Sequence, residues 1–214
     1  MSAVKVRPMV NRLPAALPSA EGASFVRNCQ LVDLAFGEIL CEPGRPSRHA
    51  YFPVSGFISL ATPLQGRVQA LGQAWRTGTA LLQRELRRSP GLRELLNRCL
   101  SVRMRQLALA AACNRYHVVA GRLARWLLMT ADRAHADNLA ITHDFTARML
   151  GVRRAGVPRA ASALRRRRLI GYSRGNIAII DRAGLEAASC SCYQVTRRIQ
   201  QRITRPRCAR GARS

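Results

Sequence analysis

The stretch GVRRAGVPRAASALRRRRLI, residues 151–170, decides how this chain is read. It holds seven arginines and no acid. Ala155, Ala160, Ala161 and Ala163 give it a small-residue face, and Pro158 interrupts it. Just before it, Thr142 is placed to cap a short helix, with Asp144 in the first turn where the helix dipole favours an acid. Phe145, Met149 and Leu150 fall on the inward side of that helix. Gly151 then ends it in the left-handed conformation that glycine adopts cheaply. Just after it, GYSRGNIAIIDRAG reads as a hairpin turning at Gly175-Asn176. A short helix, a glycine turn, a second helix and a hairpin make a winged helix-turn-helix.

Working outward towards the N-terminus, a helix that stops near Asp132 carries Val118, Val119, Leu123, Trp126 and Leu127 on one side and Arg122 and Arg125 on another. Trp126 belongs to a core by this pattern. A longer helix precedes it. Leu92, Leu95, Leu96, Cys99, Leu100, Met104, Leu107 and Ala111 recur by threes and fours, Pro90 suits a first turn, and Ser89 is its candidate cap. Such a stripe must be buried against the chain's own β section or against a second copy, although Arg103 breaks a strict heptad.

Before residue 79 the texture is that of short strands. Phe36-Gly37-Glu38, Pro43-Gly44-Arg45-Pro46 and Ser55-Gly56 are turns, and strands are expected near 38–41, 49–53 and 56–61. Only four or five strands fit, too few for a closed eight-stranded roll. The fold class is therefore α+β, divided into a β section (1–88), a long helix (89–115), a winged helix-turn-helix (116–190) and a basic tail (191–214). Residues 194–214 carry seven arginines and little to bury, which predicts disorder and non-specific phosphate affinity.

The 214 residues include 36 Lys+Arg against 11 Asp+Glu, a formal charge of +25. A solvated basic face would be interleaved with acids, and here they are scarce, so nucleic acid is the expected partner. Seven cysteines are scattered at 29, 41, 99, 113, 190, 192 and 208. Cys190-Ser191-Cys192 lacks the two-residue gap and the second pair of common zinc motifs, so reduced thiols without a metal or other cofactor are expected. His117 reads as a hydrogen-bonding helix-start residue rather than a ligand. There is no apolar run of signal-peptide or membrane-span length, which points to a soluble cytoplasmic chain. No Ser-His-acid set, phosphate loop or paired carboxylates stand out, so the expectation is that the chain is not an enzyme.

Three collinear stretches resemble the Crp–Fnr family of bacterial transcription regulators. GEILCEPGRPSRHAYFPVSGFISL (37–60) is similar to the early strands of its cyclic-nucleotide-binding-like β-roll. ACNRYHVVAGRLARWLLMTADR (112–133) resembles the end of its dimerisation helix and the next helix, and the chain from Leu139 to Tyr193 resembles its winged helix. The resemblance implies a transcriptional regulator that binds a palindromic site as a homodimer, with double-stranded DNA and RNA polymerase as partners and no membrane. It places Arg154 and Arg159 at base-reading positions and Thr142 and His143 at a phosphate. Arg153 and the run Arg165–Arg168 are either backbone clamps or solvated charges, and Arg174 is a wing contact.

Two departures stand out. Effector-binding members carry a phosphate-binding cassette between later strands of the roll; here SLATPLQGRVQALGQAWRTGTALLQREL passes from early strands almost directly to the last ones, some thirty residues short. Gly37-Glu38 lies too early to be that motif, so no cyclic-nucleotide binding is expected. The cysteine cluster of iron–sulfur relatives is also missing from the N-terminus. The second departure is Pro158: either the recognition helix kinks there, or it starts late with Pro158 as its first residue. Two alternatives to a sequence-specific regulator remain, a general nucleic-acid-coating protein and a degraded regulator.

Overall fold

The structure is a computed structural model that describes residues 16–55, 57–61, 65–70, 72–134, 136–173 and 175–204. Helix α1 (Ser19–Arg27) leads into β1 (Gln30–Leu34), β2 (Ile39–Cys41), β3 (His49–Pro53), β4 (Phe57–Ala61), β5 (Gln65–Ala70) and β6 (Gly72–Gly78). These form two three-stranded antiparallel sheets, ordered β1-β6-β3 and β2-β5-β4. The three strands read from the sequence lie where expected, but the total of four or five is corrected to six. The strands missed are β1, β5 and β6. QGRVQA and GQAWRTG are too polar to stand out alone, and apart from β4, next to β5 in sequence, their pairing partners lie tens of residues away.

Period-two alternation splits the residues of the first sheet between two cores. Tyr51 and Ala74 pack with Leu34 and Val68 between the sheets. Their neighbours Phe52 and Trp75 face the other way, onto α1 and the long helix. There Phe25 meets Phe52 edge-on, ring centroids 5.0 Å apart, and Leu92 and Leu95 are fully buried.

After α2 (Thr79–Arg88) comes the long helix α3 (Pro90–Tyr116). It opens as the sequence indicates. Ser89 Oγ accepts the Leu92 N–H at 3.0 Å, Pro90 occupies the first turn, and the Ser89 hydroxyl donates to Glu21 of α1. From Leu100 onward the expected stripe finds no cover, since Leu100, Met104 and Leu107 are each about two-thirds exposed.

The C-terminal unit comprises α4 (Val119–Ala134), β7 (Asn138–Ala140), α5 (His143–Leu150), α6 (Gly156–Arg166), β8 (Ile170–Ser173), β9 (Asn176–Ile179) and α7 (Arg182–Ala188). One core joins them, with Leu123, Leu127, Trp126, Leu139, Leu150, Ala160, Ala161, Leu164 and Ile177 among its buried residues. The wing is a three-stranded sheet, β7-β9-β8, rather than a lone hairpin. Gly175 makes its turn at φ +78°.

The expected disorder after residue 190 is corrected over Cys192–Thr204, which form helix α8. Tyr193 is fully buried and Thr196 nearly so, and the helix lies against α3. The Tyr193 hydroxyl donates to Asp132 at 3.0 Å, and Arg182 bonds both groups. Burial, with Asp132 next to it, pushes the Tyr193 hydroxyl up to about 12. Residues 205–214 of the tail lie outside the described residues.

Candidate nucleic-acid interface

Helix α5 is built by its two ends. Thr142 Oγ accepts the Phe145 N–H at 3.2 Å, and Gly151 closes the helix at φ +60°, its N–H returning to Arg148. Gly151 thereby turns the chain towards α6. Arg122, placed by the sequence pattern on an outer face, is in fact buried at 5 % exposure. Its guanidinium donates to the Leu150 carbonyl and to Asn114 Oδ1, joining the end of α5 to α3. A cation at the C-terminal carbonyls of a helix is electrostatically favoured. The sequence carries no signal for this role, because an arginine beside an apolar stripe ordinarily points to water.

The expected late start at Pro158 is corrected by two residues. Helix α6 begins at Gly156, preceded by a turn in which the Gly156 and Val157 N–H groups bond to the Arg153 and Arg154 carbonyls. Pro158 is therefore its third residue. The first N–H groups of a helix have no intrahelical partner, so proline here deletes no bond and the helix continues through it. Val157, Ala160, Ala161 and Leu164 turn inward. Arg153, Arg154, Ala155, Pro158, Arg159, Ser162 and Arg165 to Arg168 are exposed.

The acids explain why that face keeps its charge. Asp132, Asp137 and Glu186 surround Arg182, with Glu186 also reaching Arg197. Asp144 pairs with Arg148 at 3.5 Å, and Asp181 caps α7 through the Gly184 N–H. Among the described residues no ion pair involves Arg153, Arg154, Arg159 or Arg165–Arg168. The helix ends with Arg168 in the left-handed region at φ +56°, while the Leu169 N–H returns to the Leu164 carbonyl. Glycine is the usual residue at such a stop.

Of the remaining expected residues, Thr142 is exposed beside the free N-terminus of α5. His143 stacks on Tyr172 of the wing, rings 4.6 Å apart and 12° from parallel, and its Nε2 is buried without a partner. Its ring thus packs on the wing. Arg174 lies outside the described residues.

A two-helix unit with a three-stranded wing, presenting an arginine face that pairs with no acid among the described residues, defines a winged helix-turn-helix protein of the DNA-binding kind. Residues 121–188 match the family described as a Crp-like helix-turn-helix domain, and the chain as a whole has the fold of the Crp/Fnr transcriptional regulators. It is similar to a Crp/Fnr regulator from Eubacterium rectale at 17% identity, over 82% of this chain and 96% of that one, with a TM-score of 0.63. FixK2 from Bradyrhizobium japonicum is similar at 15% identity over 76% and 98%, TM-score 0.63. The c-di-GMP responsive global regulator CLP of Xanthomonas campestris is similar at 15% over 76% and 99%, TM-score 0.61. No curated protein matches the chain. Among the described residues no helix is long and apolar enough to cross a membrane.

Proposed function

We propose that the protein is a DNA-binding transcriptional regulator that acts as a homodimer on a palindromic site, without catalysis and without cyclic-nucleotide control. The observation that carries this reading is the exposed outer face of α6, where arginines pair with no acid among the described residues. Arg154 and Arg159 lead into the major groove and read guanine edges; Arg153 and Thr142 hold phosphates, the latter together with the backbone at the start of α5. His143 positions the wing through Tyr172, and Arg174 is a phosphate contact. RNA polymerase is the partner expected of such a regulator on DNA.

Dimerisation is supported by α3. Leu100, Met104 and Leu107 are spaced by four and three residues and exposed along one side, as a helix seeking a copy of itself requires. Two recognition helices carried by such a dimer fall about 34–36 Å apart, one turn of DNA. Fragments selected from random duplexes by the purified chain are expected to share an inverted repeat, bound more weakly as salt rises. A log–log salt slope shallower than about −3, or equal retention of random DNA and RNA, would instead favour a general coating protein.

The cyclic-nucleotide reading rests on the connections in the β section. A single residue separates β5 from β6 and three separate β4 from β5, which leaves no room for a helical turn between these later strands. Calorimetric titration with cyclic AMP or cyclic GMP is expected to show no heat of binding; micromolar affinity for either would refute this.

A further inference from the structure

Three cysteines and a histidine, far apart in sequence, converge at the joint between the long helix and the DNA-binding unit. The last turn of α3 offers Cys113, and His117 follows one helical turn on at the helix end, its N–H bonded to the Cys113 carbonyl at 3.1 Å. The chain returns after α7: the Cys190 N–H bonds to the Gly121 carbonyl at 3.3 Å, and Cys192 opens α8. Cys113 and Cys190 Sγ are 3.5 Å apart, and Cys192 Sγ lies 3.7 Å from His117 Nδ1. All four ligand atoms lie within 4.8 Å of one another.

A tetrahedral zinc ion with Zn–S of about 2.3 Å and Zn–N of about 2.0–2.1 Å sets its ligand atoms roughly 3.5–3.8 Å apart. Two of the separations here already have that length, and all four fit the cluster after sub-ångström to ångström adjustments. Four protein ligands leave no open position, the mark of a structural rather than a catalytic site. We propose that Cys113, His117, Cys190 and Cys192 bind a thiophilic divalent ion, zinc by class, as a clasp between α3, α4 and the α7–α8 joint.

The surroundings support this. Cys113, Cys190 and Cys192 are at most 8% exposed, so an ion would be shielded from water. Binding converts the three thiols to thiolates and releases three protons, and with neutral histidine the site then carries a net single negative charge. Burial and the neighbouring Cys113 push the Cys190 and Cys192 thiols up, while the nearby Arg125 guanidinium acts in the opposite sense, and its Nε is buried without a hydrogen-bond partner. It is placed as the outer cation of such a centre. The sequence conceals the site because Cys113-x3-His117 and Cys190-x-Cys192 match no common zinc spacing, and only the fold brings the halves together.

The full chain, purified under reducing conditions without chelator, is expected to hold about one zinc ion per chain by elemental analysis. After zinc removal, added Co2+ should give the thiolate charge-transfer and intense ligand-field bands of a tetrahedral site. Cys113→Ser and Cys192→Ser should lose them, and Cys99→Ser, outside the cluster, should keep them. His117→Cys should keep a tetrahedral spectrum with shifted bands. Should the serine variants fail to fold, the spectrum and metal content of the unaltered chain decide alone. A metal-free chain with no tetrahedral cobalt spectrum, or one in which Cys113 and Cys190 are joined as a disulfide, would overturn the assignment.

Discussion

Replacing Arg154 and Arg159 together by alanine is expected to abolish selective binding while leaving the fold intact. Each bidentate contact to a guanine is worth about 1–3 kcal/mol, so the pair removes roughly 2–6 kcal/mol at a matching site if the two add. Both side chains are exposed and join no ion pair among the described residues, so thermal stability should scarcely change. Random duplex should be weakened far less, because its affinity comes from the phosphate-facing arginines that remain. Fluorescence anisotropy on the selected site and on a scrambled duplex measures both terms. Equal weakening of the two duplexes would reduce Arg154 and Arg159 to phosphate contacts; no weakening would remove them from the interface.

The largest loss of stability is expected at Arg122. Arg122→Ala strips the Leu150 carbonyl and Asn114 of their donor and leaves a cavity between α3, α4 and α5. Unmaking a buried hydrogen bond to a charged group costs about 1.5–3 kcal/mol, and the lost packing adds to it, so roughly 2–4 kcal/mol is expected. Arg122→Lys keeps the charge at the end of α5 but cannot bridge both acceptors, and should recover part of the loss. Thermal unfolding of the three proteins is the measurement. An Arg122→Ala chain as stable as the parent would show that the brace contributes nothing.

What could be read in advance was local. Ser89-Pro90 at the start of α3, Thr142 and Gly151 at the ends of α5, and Gly175 in the wing each act through a neighbour a few residues away, and each stands where its chemistry put it. The elements missed depend on distant partners. Strand β6 exists because β1 and β3 flank it, and β7 because it pairs with β9. Helix α8 escaped notice because polar residues dominate its composition, while its order comes from a few residues, above all Tyr193 held by Asp132 and Arg182. The exposure of the α6 arginines was legible from the scarcity of acids. The burial of Arg122 and the parallel stacking of His143 on Tyr172 were not, since both are set by packing across elements.

Helix α3 belongs to two interiors at once. At its beginning Leu92 and Leu95 complete the apolar cluster beneath the strands, and at its end Cys113 packs with Cys190 and Cys192. A cut at residue 88 therefore does not release a self-sufficient module: the amino-terminal piece would leave Phe25 and Phe52 facing solvent where Leu92 and Leu95 had been. Excision experiments should place their boundary within the helix, beyond Leu96, if the strands are to keep their floor.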